Sequence, residues 1–142
     1  MRLSVKARHL PPRIATGVFI LNSGIGKLKA DEATAAQLHG FAAGTYPFLN
    51  KLKPADFVRL FAASEIVLGT ALVVPVVPAG LVGAGLAAFS AGTLGLYVKT
   101  PGMRKPGTPL PTEAGTALAK DVWMAGIGLG LVLDDLTDRD DS

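Results

Sequence analysis

Apolar residues gather along this chain into four runs, each bounded by charge, proline or glycine. The first, PRIATGVFILNSGIG, follows the basic stretch MRLSVKARHLPPR and stops at Lys27. At helical rise it forms a short span over 13–28. Residues 55–98 carry no charge between Glu65 and Lys99, too long a stretch for one span, and PVVP at 75–78 interrupts it. Two prolines this close predict a tight turn between helices at 56–74 and 79–98, the latter ending in an interfacial Tyr97 and Lys99. The fourth run, 113–133, starts behind Thr112, a residue suited to an N-cap, and ends at DDLTDRDDS, an acidic tail over 134–142. The pattern predicts an all-α fold: a four-helix transmembrane bundle forming one domain.

The connections differ in character. DEATAAQLHGFAAGTYPFLNKLK opens with two acids suited to a helix N-terminus and carries scattered apolar residues, which predicts a short interfacial helix between spans one and two. KTPGMRKPGTPLPT, rich in proline and glycine, predicts a loop without secondary structure. Basic residues stand in the N-terminal segment and in the first and third connections, but not in the middle one. Weighting the first helix, as membrane insertion usually does, places both termini in the cytoplasm. A basic start before a short apolar core also fits a signal peptide, but no small-x-small cleavage site precedes Lys27.

Composition agrees with the bilayer reading: 49% of the 142 residues are hydrophobic and 18% charged, with a mean hydropathy of +0.41. The chain has no cysteine, which excludes disulfides, iron–sulfur clusters and thiolate metal sites. His9 and His39 fall outside the apolar runs, so two imidazoles do not hold a haem between spans. No metal site, catalytic constellation or covalent cofactor is expected. Basic residues at segment ends, without an aromatic-interleaved basic face, argue against nucleic acid. The GxGxG of the fourth run lacks the preceding strand of a dinucleotide fingerprint. SGIGKL lacks the first glycine and final Ser or Thr of a phosphate-binding loop.

Small residues recur at helical spacing: Gly83, Ala87, Ala91 and Gly95 in the third run, Gly126 and Gly130 in the fourth. In lipid such seams draw helices together, within the bundle or in a homodimer. Against them stand the charges. Glu65 shares a face with Ala62 and Gly69, and Asp121 with Ala117, Ala125 and Gly128, so both should point inward. Lys120 lies on a bulkier face with Met124, Ile127 and Leu131, from which it can snorkel. Four alternating spans bring Lys27, Arg59, Tyr97, Lys120, Asp121 and Trp123 to one leaflet, with Glu65 beneath them and Asn22, Ser64 and Ser90 as neutral partners. One reading is an ion-pair cluster, Glu65 or Asp121 with Lys27, Arg59 or Lys120, that locks helix register. A central charge costs about 2.5–3.5 kcal/mol to insert, and a membrane hydrogen bond returns about 0.6 kcal/mol. That imbalance favours the other reading, a ligand-binding polar cluster of Lys27, Arg59, Glu65, Lys120, Asp121 and Trp123.

RIATGVFILNSGIGKL, ASEIVLGTALVVPVVPAGLVGAGL and ALAKDVWMAGIGLGLVL together resemble the DoxX family. Lys27 ends the first helix behind a glycine and Glu65 precedes a glycine in the second, which is the pattern of that family. The proline-rich turn at 75–78 departs from the family's usual glycine-centred turn. The resemblance implies a small multi-pass protein of the bacterial inner membrane. Relatives include the membrane subunit of a thiosulfate:quinone oxidoreductase. It further implies a membrane-embedded binding or anchoring subunit of a redox system, with quinone as ligand and a redox-enzyme subunit as partner rather than an independent activity. The rival readings are a homodimeric proton-coupled transporter, with Glu65 and Asp121 as proton carriers, and a purely structural scaffold.

Overall fold

The computed structural model describes residues 6–100, 102–108, 110–112, 115 and 121–140. Among them are five α-helices, two short 3-10 turns and no strand; an isolated bridge joins Arg104 and Pro111. The all-α expectation holds. The helices are α1 (Leu10–Leu28), α2 (Glu32–Thr45), α3 (Pro54–Val73), α4 (Ala79–Lys99) and α5 (Asp121–Asp140). They fall into two compact units. One is Leu10–Pro75; the other takes the residues up to His9 and from Val76 onward.

In the first unit, prolines set where helices begin. Pro11 and Pro12 lie in the first turn of α1, and Pro54 opens α3. A first-turn proline forfeits no helical hydrogen bond, and its fixed φ suits the helix, so both helices start two or three residues before the apolar runs suggest. Asp31 caps α2, its carboxylate accepting from Thr34 N at 2.8 Å. α1 and α3 pack antiparallel: Gly17 abuts Gly69 and Leu72, and Gly24 abuts Ala62 and Glu65. The approach is close enough that a Cβ on Gly69 would stand 2.7 Å from Leu21 N and 2.8 Å from Gly17 O. Ile20, Ala62 and Leu72 are buried along this seam.

The second unit pairs α4 with α5, also antiparallel, since Gly80 lies against Asp135, Gly83 against Leu131 and Ala87 against Gly128. A Cβ on Gly83 would stand 2.5 Å from Gly128 O. Gly92, Gly126 and Gly130 face open space instead. The expected seam through Gly126 and Gly130 is therefore displaced onto Gly128, because the buried face of α5 runs through Asp121, Met124, Gly128 and Leu131. Helical α5 continues past Leu133 to Asp140, so the expected acidic tail is largely helix. The start of the fourth run falls mostly outside the described residues. Thr112 Oγ1 does accept from Gly115 N at 3.2 Å, the bond an N-cap makes.

Of these helices only α4 is long and apolar enough to cross a membrane by length and composition. The others are diluted by polar groups: Arg13 and Asn22 in α1; Asp56, Arg59 and Glu65 in α3; Asp121 and the acids from Asp134 onward in α5.

The glycine contacts give substitutions of opposite sign. Gly69→Ala drives a methyl into the α1 backbone and should destabilise the purified protein by about 1–3 kcal/mol. Gly126→Ala adds a methyl in open space and should be neutral or stabilising by up to about 1 kcal/mol, from helix propensity alone. Unfolding midpoints of the two variants measure both; a Gly69→Ala midpoint at or above wild type would contradict the packing.

Candidate functional site

The first unit brings two of the sequence-derived residues together. Glu65, with Ala62 and Gly69, occupies the face of α3 turned to α1, because those small neighbours let the backbones close. Lys27, in the last turn of α1, reaches back so that Nζ lies 2.7 Å from Glu65 Oε1. The lysine is partly exposed and the carboxylate buried. Nζ also donates to Ser23 Oγ at 2.7 Å and sits 5.1 Å from the centre of the Phe61 ring. The ion pair is close but lies off a hydrogen-bonding direction. Oε1 accordingly receives no directed hydrogen bond among the described residues. Lys27 thus turns its ammonium inward to Glu65. Removing one member of a buried pair costs about 3–5 kcal/mol, less here because the lysine is in part solvated.

Arg59 is exposed on α3. Asn22 and Ser64, expected as neutral partners, are also exposed, and Ser64 Oγ donates to its own helix at Leu60 O. In the second unit Asp121 is buried, as its small face predicts, whereas Trp123 two positions on is 73% exposed. Residues i and i+2 do not share a helix face, so the two do not converge on one pocket. Lys120 lies outside the described residues. Tyr97 is buried, and Ser90 is buried with its hydroxyl unmatched among the described residues.

Two polar centres escape the sequence reading. Arg13 is fully buried: Nε donates to Leu72 O at 2.8 Å, and Nη2 to Ala71 O at 2.8 Å and Val74 O at 2.9 Å. These carbonyls belong to the end of α3, which lacks intrahelical partners for them, so a cation from α1 closes the helix where its dipole is negative. Pro11 and Pro12 are the available signal, since as first-turn residues they start α1 at Leu10 and set Arg13 inside the helix instead of at its first residue. The second centre belongs to the other unit. Arg8 grips the Asp134 carboxylate with both Nε (3.2 Å) and Nη2 (2.9 Å), and buried His9 bonds Asp134 through Nε2. Lys6 N lies 3.4 Å from His9 Nδ1, marking that nitrogen as the acceptor and leaving Nε2 to donate. Arg13 falls on the buried face of α1 with Thr16, Gly17 and Ile20, whereas Arg8 and His9 precede the first apolar run.

The Arg8 hydrogen bonds first, then His9, hold the Asp134 carboxyl below its ordinary value of 3.8. A lowered native pKa means stability that is full above 3.8 and is lost as pH falls through the lowered value. The unfolding midpoint of Asp134→Asn should therefore lie below wild type at pH 7, with the gap closing under strong acid. A gap that persists unchanged in acid would contradict the assignment.

Compared with protein-family models, with curated proteins and with solved structures, the chain matches none of them.

Proposed function

We propose that this chain is a DoxX-like multi-pass protein of the bacterial inner membrane, crossing the bilayer four times and serving as an embedded binding or anchoring subunit of a quinone-linked redox system. The observation that carries the membrane reading is an inverted distribution of polarity. Arg13, Glu65, Ser90 and Asp121 are buried, while Val67 (69% exposed), Leu81 (67%) and Leu133 (63%) stand outward. Water would favour the reverse, and lipid favours this. The α4 span agrees: only 28% of its most apolar window is buried, whereas the core helix of a soluble domain is mostly covered. Trp123, exposed near the described start of α5, suits the bilayer interface.

Polar side chains inside such helices need internal partners, and the described ones largely have them. Arg13 holds carbonyls, Lys27 holds Glu65 and Ser23, and Thr93 and Thr137 donate to Phe89 O and Leu133 O of their own helices. Glu65 Oε1 and Ser90 Oγ are the exceptions among the described residues, and Oε1 is a buried acceptor without an aligned donor. A quinol hydroxyl could donate to such an oxygen, and Lys27 could donate to a quinone carbonyl. The apolar outward side chains around them suit the ring and tail. Bound quinone would supply the electron chemistry; this chain, without cysteine, would bind and orient it for a partner subunit.

Mass spectrometry of quinone retained by protein purified gently from native membranes tests this, with wild type, Glu65→Gln and Asp121→Asn compared at matched lipid content. Near-stoichiometric quinone in wild type, reduced at least about tenfold in a correctly folded Glu65→Gln variant, is the expected result; a tenfold loss corresponds to 1.4 kcal/mol. Absence of enrichment in wild type would overturn the quinone assignment.

A further inference from the structure

Each helix pair, taken by itself, has one basic end whose exposed cations form no ion pair among the described residues. In the first unit, antiparallel packing puts the end of α1, α2 and the start of α3 together, and Lys29, Lys51 and Lys53 are exposed there. Exposed Asp31, Glu32 and Asp56 lie on the same segments, but Asp31 is occupied in capping α2. At the other end of that pair the cation is Arg13, buried on the carbonyls of α3. In the second unit, Lys99 ends α4, and Arg104 and Lys105 follow on an ordered hairpin-like loop. Lys105 N donates to Leu110 O at 2.7 Å and Thr112 N to Met103 O at 3.0 Å, with Gly102 and Gly107 at φ +86° and +73° making the turns. Beside the two cations Leu110 is 57% exposed. No acid occurs in the sequence from Ile66 to Thr112. The opposite end of this unit is acidic, and its Arg8 is paired with Asp134.

We infer that each basic end faces the cytoplasm and binds the phosphates of anionic phospholipid headgroups, through Lys29, Lys51 and Lys53 in the first unit and through Lys99, Arg104 and Lys105 in the second. The inference rests on the four-span reading, in which each basic end stands at a membrane surface. Membrane orientation follows Lys and Arg near the ends of spans, with acids counting little. Nine of the 14 lysines and arginines fall between Lys27 and Arg59 or between Lys99 and Lys120. The argument from the first helix, which favours cytoplasmic termini, depends on N-terminal cations. Of the four N-terminal cations Arg2, Lys6, Arg8 and Arg13, Arg13 is buried on the α3 carbonyls and Arg8 is paired with Asp134, so the nine cations of the other side outweigh them and both termini lie on the far side of the membrane. Exposed cations with an apolar neighbour, on a loop already ordered by its own hydrogen bonds, match a surface of negative headgroups over acyl chains.

The chain has no cysteine, so single cysteines report topology directly. Asn50→Cys, Leu110→Cys and Val76→Cys, expressed in bacterial cells, would be treated with a membrane-impermeant maleimide before and after permeabilisation. The expected result is Val76→Cys labelled in intact cells, and the other two only after permeabilisation. The mirror-image pattern would overturn the inference while leaving four spans standing. Val76→Cys and Asn50→Cys labelled from the same side, or protein recovered in the soluble fraction, would overturn the four-span reading and the inference with it. Native mass spectrometry of protein exchanged into phosphatidylglycerol or phosphatidylcholine micelles tests the headgroup contact. Combined replacement of Lys51, Lys53, Arg104 and Lys105 by Gln should lower retained phosphatidylglycerol at least about tenfold and leave phosphatidylcholine unchanged. Equal retention of phosphatidylglycerol by the variant and wild type would overturn the headgroup assignment.

Discussion

A polar group enclosed between two helices, cut off from water by close-packed backbone and apolar side chains, has to be satisfied inside that pair. Arg13 shows what this constraint does to the structure. The last turn of α3 leaves carbonyls without amide partners, and the chain turns through prolines immediately afterwards, so no continuing backbone can supply them. A guanidinium with donors at fixed angles reaches three of these oxygens at once. α1 is thereby tied to the end of α3, and the α1/α3 register, Gly17 against Gly69 and Gly24 against Ala62, is consistent with that attachment.

Close approach and polar pairing depend on each other. Glycine and alanine on the facing sides let the backbones come near enough for Lys27 to meet Glu65 and for Arg13 to reach the α3 carbonyls. Those polar contacts in turn specify which glycines meet. The α4/α5 pair repeats the logic with Gly83, Ala87 and Gly128, and its far end is clamped by Arg8 and His9 on Asp134. In both units, then, a cation from near the chain's start is drawn to a helix far along the sequence. Local periodicity carries no information about such pairings.

Helix positions were legible because apolar runs end at proline, glycine or charge. The inward direction of Glu65 was legible too, since Ala62 and Gly69 flank it at helical spacing. Helix starts were misplaced where a proline stands in the first turn, as before α1 and α3. The seam on α5 was misplaced because Gly126, Gly128 and Gly130 alternate across faces, and composition alone does not say which of the three meets α4. The proposed cluster grouped Lys27, Arg59, Asp121 and Trp123 by depth in the membrane. Depth follows from position along a helix, whereas convergence requires direction around it, and Arg59 and Trp123 point outward.

The account depends most on the outward apolar faces meeting lipid. Spin labels on single cysteines at Val18, Val67, Leu81 and Leu133, in protein reconstituted into bilayers, would measure the relative access of oxygen and of a water-soluble nickel chelate. All four positions are exposed. Oxygen access should exceed chelate access at all four, rising toward the middle of each helix. Chelate access equal to or greater than oxygen access at Val67 and Leu81 would place these faces in water and contradict the account.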